Sequence, residues 1–134
     1  MIERLIILIA LAAAGILTYQ GFRQWQVWRA ARFAPTDPLL SERRPDIPAI
    51  LYFTTPMCAP CKTQQRPALH RLLDELGDQI QVIEVNAIEQ TDAADRWGVL
   101  SVPTTFILDK AGRPRQINHG VTSAEKLKHQ LEGL

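Results

Sequence analysis

Apolar side chains run unbroken from Leu5 to Leu17, and no other stretch of the chain carries such a run. Extended through Thr18-Tyr19-Gln20-Gly21-Phe22, the segment has 18 residues. As a helix it would measure about 27 Å, enough to cross the hydrocarbon layer of a bilayer. Tyr19, Trp25 and Trp28 then fall where amphipathic aromatics settle among lipid headgroups, with Arg23, Arg29 and Arg32 close by. The pattern predicts an anchor, in contact with lipid through residues 5–22, that runs into a short basic helix. A cleaved signal peptide competes, with Ala10-Leu11-Ala12 or Ala12-Ala13-Ala14 as the cleavage site. Those alanines lie inside the apolar run and only Glu3 and Arg4 precede it, which favours the anchor.

Between Ala34 and Pro48 the pattern breaks down. Pro35, Pro38, Pro45 and Pro48 alternate with Asp, Ser and Arg, which reads as a stiff polar tether. Beyond it the periods become regular. Ile50 to Phe53 reads as a strand. Ala68, Leu69, Leu72, Leu73 and Leu76 recur at helical spacing up to Gly77, so a helix is expected from about Cys58 to Leu76, bent where Pro67 removes a hydrogen bond. Ile80–Val85 reads as a strand, Asp92–Trp97 as a short helix, and Thr104–Leu108 with Pro114–His119 as a hairpin across Lys110-Ala111-Gly112. Ser123–Leu131 reads as a closing helix capped by Ser123 or by Thr122. That order makes an α/β sandwich on a mixed sheet. The expected division is an anchor with its basic helix over residues 1–33, a linker over 34–46 and one domain over 47–134.

Charge narrows the function little. A formal net charge of +1 makes no case for nucleic acid, and the arginines near residue 23 sit where anionic lipid would meet them. Cysteine usage narrows it sharply. The chain has two cysteines, Cys58 and Cys61, spaced CxxC at the start of the expected helix and directly after a strand. There the free N–H groups and the helix dipole favour a thiolate, and a residue three positions on can close a disulfide with it. Cys58 is the expected attacking thiol and Cys61 the resolving one. A zinc site would need two more ligands, yet no second CxxC exists and His70, His119 and His129 complete no familiar spacing. No metal and no cofactor is expected.

From about Ile47 onward the chain resembles the thioredoxin-like family, in particular its membrane-anchored bacterial members. The likeness rests on Cys58-Ala59-Pro60-Cys61-Lys62 after a strand, Trp97-Gly98-Val99 followed by Val102-Pro103-Thr104, the Asp109-Lys110-Ala111-Gly112 turn, and Gly120 before the last helix. It implies a thioredoxin fold lacking its first strand and helix, unless Leu39-Leu40 supplies an edge element. It also implies a cis peptide bond before Pro103 and a Val102 backbone that meets an extended substrate. The family's buried Asp is Tyr52 here, Glu84 holds a partner position on the next strand, and Met57 replaces the Trp before the first cysteine. Pro67 falls one residue later than the family's helix-bending proline.

The reading that follows is a thiol–disulfide oxidoreductase reducing or exchanging disulfides of protein partners at a membrane. Ala59, Pro60, Lys62, Met57, Tyr52, Glu84, Val102 and Pro103 would tune the pair or touch substrate. Partners would be disulfide-bearing or dithiol proteins and an upstream redox protein; a monomer is expected. The soluble part is expected on the extracytoplasmic side, although the arginines after the span pull the other way. The alternative is a tethered binding or assembly module whose disulfide only stabilises a loop.

Overall fold

The computed structural model describes all of residues 1–134. The strands are β1 (Ala49–Thr54), β2 (Gln81–Asn86), β3 (Thr104–Leu108) and β4 (Pro114–His119). They form one sheet in the order β2-β1-β3-β4, with β1 parallel to β2 and antiparallel to β3. The helices are α1 (Ile2–Phe33), α2 (Arg66–Leu76), α3 (Thr91–Arg96) and α4 (Ala124–Glu132). The expected hairpin strands coincide with β3 and β4, and the remaining elements begin or end within a residue or two of expectation, apart from the front of α2.

β1 is buried at every position because both sheet faces are covered. On one face Ile50, Tyr52 and Ile107 pack under α2 and α4 through Leu69, Leu72 and Leu127. On the other, Leu51, Phe53 and Phe106 pack around Trp97, with edge-on ring contacts of 5.9 Å between the two phenylalanines and 5.0 Å between Phe106 and Trp97.

The second face differs from expectation in what covers it. Ala30 and Ala34 at the end of α1 are fully buried in its core, with Val27, Phe33, Leu39 and Leu40 packed around them. The proline-rich stretch is folded into two 3-10 turns, Ala34–Thr36 and Pro38–Leu40. Asp37 between them is 6% exposed. It accepts the Trp97 indole N–H at 3.1 Å and an Arg96 N–H at 3.1 Å. So the polar stretch is no free tether, and packing runs across residues 33/34 and 46/47. Asp37 is spent on the buried Trp97, a use composition does not reveal. No strand precedes β1, as the resemblance implied, but the missing helix is replaced: the end of α1 takes its cover over the sheet.

Helix α1 is continuous, so the expected anchor segment and the expected basic helix are one element. Its packed part lies along β4. Arg23 donates to the Ile117 carbonyl at 3.0 Å, and Gln26 donates to the Gly98 carbonyl at 3.4 Å. That leaves the Gln26 amide oxygen to accept from His119 Nε2 at 3.0 Å, which sets the imidazole tautomer. Gly98 turns at φ +69°, a conformation that suits glycine.

Candidate functional site

The chain leaves β1 at Thr54 and enters a helix at Ala59, so Cys58 stands at the helix start, as expected. Cys58 and Cys61 are joined by a disulfide with Cα atoms 5.3 Å apart. The Cys61 backbone N–H donates to Cys58 Sγ at 3.2 Å, and the Lys62 N–H donates to the Cys58 carbonyl at 3.3 Å. On reduction the first of these donors faces the Cys58 sulfur, where it and the helix dipole favour a thiolate. Cys58 is 8% exposed and Cys61 1%, so Cys58 is the less covered residue of the pair.

The front of the helix is not the regular α-helix expected from Cys58. Residues Cys61–Gln65 form a π turn in which the Arg66 N–H reaches back to the Cys61 carbonyl. A π turn takes up one extra residue, which accommodates Pro67 standing one position late. It also turns Gln65 fully inward. The Gln65 amide donates to the Thr122 carbonyl at 3.1 Å and accepts the Thr122 N–H at 2.8 Å, tying the cysteine helix to the loop before α4. Gln65 went unremarked in the sequence, although it lies four residues from Cys61 and four from Leu69 on one helical stripe.

Tyr52 lies under the pair, in one apolar cluster with Cys58, Cys61 and Leu69, and Val102 packs on that cluster. Its hydroxyl donates to the Cys61 carbonyl at 3.4 Å, and burial pushes its pKa above the usual phenol value. The shift favours the neutral phenol, whose hydroxyl is turned to the Cys61 backbone. Glu84 pairs with Tyr52 in register across the strands. Its carboxylate is held by Arg66 at 2.6 Å. Both line a polar hollow of about 480 Å³ with Lys62, Thr55 and Glu89.

Met57 is 87% exposed beside the pair, and Ala59 and Pro60 are exposed in the first turn. The Val102–Pro103 bond is cis, as the resemblance implied, and the Pro103 carbonyl accepts the Gly120 N–H at 2.9 Å. Val102 lines a second hollow of about 300 Å³ with Thr55, Ala87, Ile88, Val99 and Leu100. Ile88 and Leu100 are strongly exposed there, and neither was singled out in the sequence, since a lone exposed apolar residue carries no pattern. The surroundings of the disulfide thus divide into a charged side and an apolar side.

A thioredoxin family model matches residues 39–133. The chain belongs to the thioredoxin family. It is 30% identical over 93 residues to thioredoxin of Bacillus subtilis, covering 69% of this chain and 88% of that protein. It is 32% identical over 100 residues to the chloroplastic thioredoxin Y of Oryza sativa subsp. japonica, covering 75% of this chain and 57% of the rice protein. In structure it is similar to thioredoxin-2 of the malaria parasite, with a TM-score of 0.61 at 20% identity, covering 66% of this chain and 84% of the other. That last likeness concerns the fold alone. Family membership and the joined Cys58–Cys61 pair make the protein a thiol–disulfide oxidoreductase, and thioredoxins act on disulfide or dithiol proteins.

Proposed function

We propose that the protein exchanges disulfides with protein partners at a membrane surface, with Cys58 as nucleophile and Cys61 as the resolving thiol. The difference in exposure within the pair carries this reading. The Cys58 thiolate attacks a partner disulfide, forming a mixed disulfide and releasing one partner sulfur as thiolate. Cys61, once deprotonated, attacks the Cys58 sulfur and releases the second. Two electrons pass to the partner, and the Cys58–Cys61 bond forms. An upstream dithiol protein restores the pair.

The membrane reading draws on α1. The helix is long enough to span a bilayer, and its most apolar window, of mean hydropathy 2.0, has no residue buried in the protein. Cleavage after Ala14 would leave Gly15–Phe22 as an exposed apolar stub on a packed helix. The soluble part is assigned to the extracytoplasmic side; labelling of reduced Cys58 in intact cells by a membrane-impermeant maleimide tests that.

Activity is tested with the full chain and a model protein disulfide. Cys58→Ser is expected to abolish exchange, and Cys61→Ser to accumulate a mixed disulfide at Cys58. Absence of exchange at every redox poise would remove the proposal. A potential near the roughly −270 mV of thioredoxins would mark a reductant, and one near about −120 mV an oxidant. The neutral Tyr52 favours a second reading, a binding module with a structural disulfide. Its signature is partner capture that survives the double Cys58→Ser/Cys61→Ser change.

A further inference from the structure

The exposed and packed parts of α1 meet at a cleft between the helix and β4. It holds about 370 Å³ and is walled by Leu17, Gln20, Arg23 and Gln24 from the helix and by Arg115 and Gln116 from the strand. Two guanidinium groups and three amides converge there, and no carboxylate lines the cleft. One Arg23 amino group is spent on the Ile117 carbonyl. Its Nε–H is shut away from solvent and has no partner within the protein. Arg115 is exposed and enters none of the protein's ion pairs.

Location indicates what such a cleft would take. Leu17 and Gln20 belong to the end of the Leu5–Phe22 segment, so the cleft opens where the span meets the headgroup layer, beside Tyr19 and Trp25. The helix runs parallel to β4: its Leu17–Gln24 part faces Arg115 and Gln116, and Gln26 meets His119 further on. Thr104, next to Pro103, pairs with His119, and Phe53, near the cysteines, pairs with Thr104. The cleft therefore lies at the membrane end of the domain and the disulfide at the far end.

We propose that this cleft binds the phosphodiester of an anionic phospholipid, with the exposed Arg115 as the donor and the positive charge of the Arg23 guanidinium beside it. Planar guanidinium groups match phosphate oxygens, and an exposed, unpaired cation at the headgroup layer gains from an anion beside it. A bound headgroup would bridge α1 and β4 and hold the domain upright on its helix, with the redox pair presented to partners on the aqueous side. The inference rests on the reading of residues 5–22 as a membrane span.

The test uses the full chain in nanodiscs of mixed phosphatidylglycerol and phosphatidylcholine, released into neutral detergent for native mass spectrometry. Phosphatidylglycerol is expected to be retained at least about tenfold over phosphatidylcholine. Arg115→Gln should reduce that preference several-fold, whereas Arg113→Gln, outside the cleft, should leave it unchanged. Arg115 is the diagnostic position because Arg23 also docks the helix. Equal retention of the two lipids, or a preference that survives Arg115→Gln, overturns the cleft while leaving the span intact. Failure to enter discs overturns both. Inorganic phosphate that raises the thermal midpoint of lipid-free protein as much as short-chain phosphatidylglycerol does would identify a free-anion site and overturn the lipid assignment.

Discussion

The two faces of the sheet are assembled from different parts of the chain. The face bearing the redox pair is closed by α2 and α4, both of which follow β1 in sequence. The face around Trp97 is closed largely by residues that precede β1, from Val27 near the end of α1 to Leu40. A thioredoxin domain needs both faces covered, since one bare face would leave large aromatic side chains in water. Here the segment that leads out of the apolar helix is also half of the core lid. The lesson is that the residues linking the apolar helix to β1 belong to the core, so they cannot be exchanged for an arbitrary linker.

The harshest way to break this comparison is to start the chain at Asp46. That removes the cover supplied by Val27, Phe33, Leu39 and Leu40. Full burial of a side chain of that size contributes roughly 1.5–3 kcal/mol, and these partly buried ones contribute less each, against a whole stability of about 5–15 kcal/mol. The shortened chain is expected to lose cooperative thermal unfolding and the near-ultraviolet signal of Trp97, whereas a chain starting at Gly21 keeps both. Equal cooperativity in the two would show that the faces are independent. Asp37→Ala is a milder cut on the same face. It strands the buried Trp97 indole N–H, at an expected cost of about 1–3 kcal/mol in denaturant unfolding, with little change in exchange activity.

On the redox face, Tyr52→Phe removes the hydroxyl bond to the Cys61 carbonyl. At 3.4 Å that bond is long, so a loss of roughly 0.5–1 kcal/mol is expected, together with a small change in the rate at which Cys61 resolves a trapped mixed disulfide. The smallest effect sharpens the contrast through pH. Burial, and secondarily the Arg23 charge, lowers the pKa of His119 from 6.5. The unfolded chain therefore binds the proton more readily. Stability is full above about pH 6.5 and falls as pH drops through that value towards the folded pKa. The thermal midpoint should decline over that window in the native chain and decline less in His119→Gln, with the potential of the pair unaffected.

Much of the redox face was legible in the sequence because its signals are local. A CxxC after a strand, a helical stripe ending at Gly77, and Val102-Pro103-Thr104 before a strand each lie within a few residues of one another. Tyr52 and Glu84 could be placed on neighbouring strands for the same reason. Their partners could not. That Tyr52 reaches the Cys61 carbonyl, and that Arg66 rather than a cysteine holds Glu84, depends on how α2 sits across the sheet. Gln65 reads as an ordinary polar helix residue until the π turn faces it inward.

The other face shows the converse. Composition marks residues 34–48 as prolines and polar side chains, and such a stretch reads as a tether whether or not it packs. Asp37 became a buried acceptor only because Trp97 and Arg96, some sixty residues away, arrive beside it in the fold. By itself the sequence determined the strand and helix order, the redox pair and the apolar span, since these follow from backbone period and near-neighbour chemistry. Only the tertiary structure decided that the end of α1 closes the sheet, that Cys58 is less covered than Cys61, and that Arg23 and Arg115 share one cleft. Each of these depends on burial and on contacts between distant segments, which local periodicity does not encode.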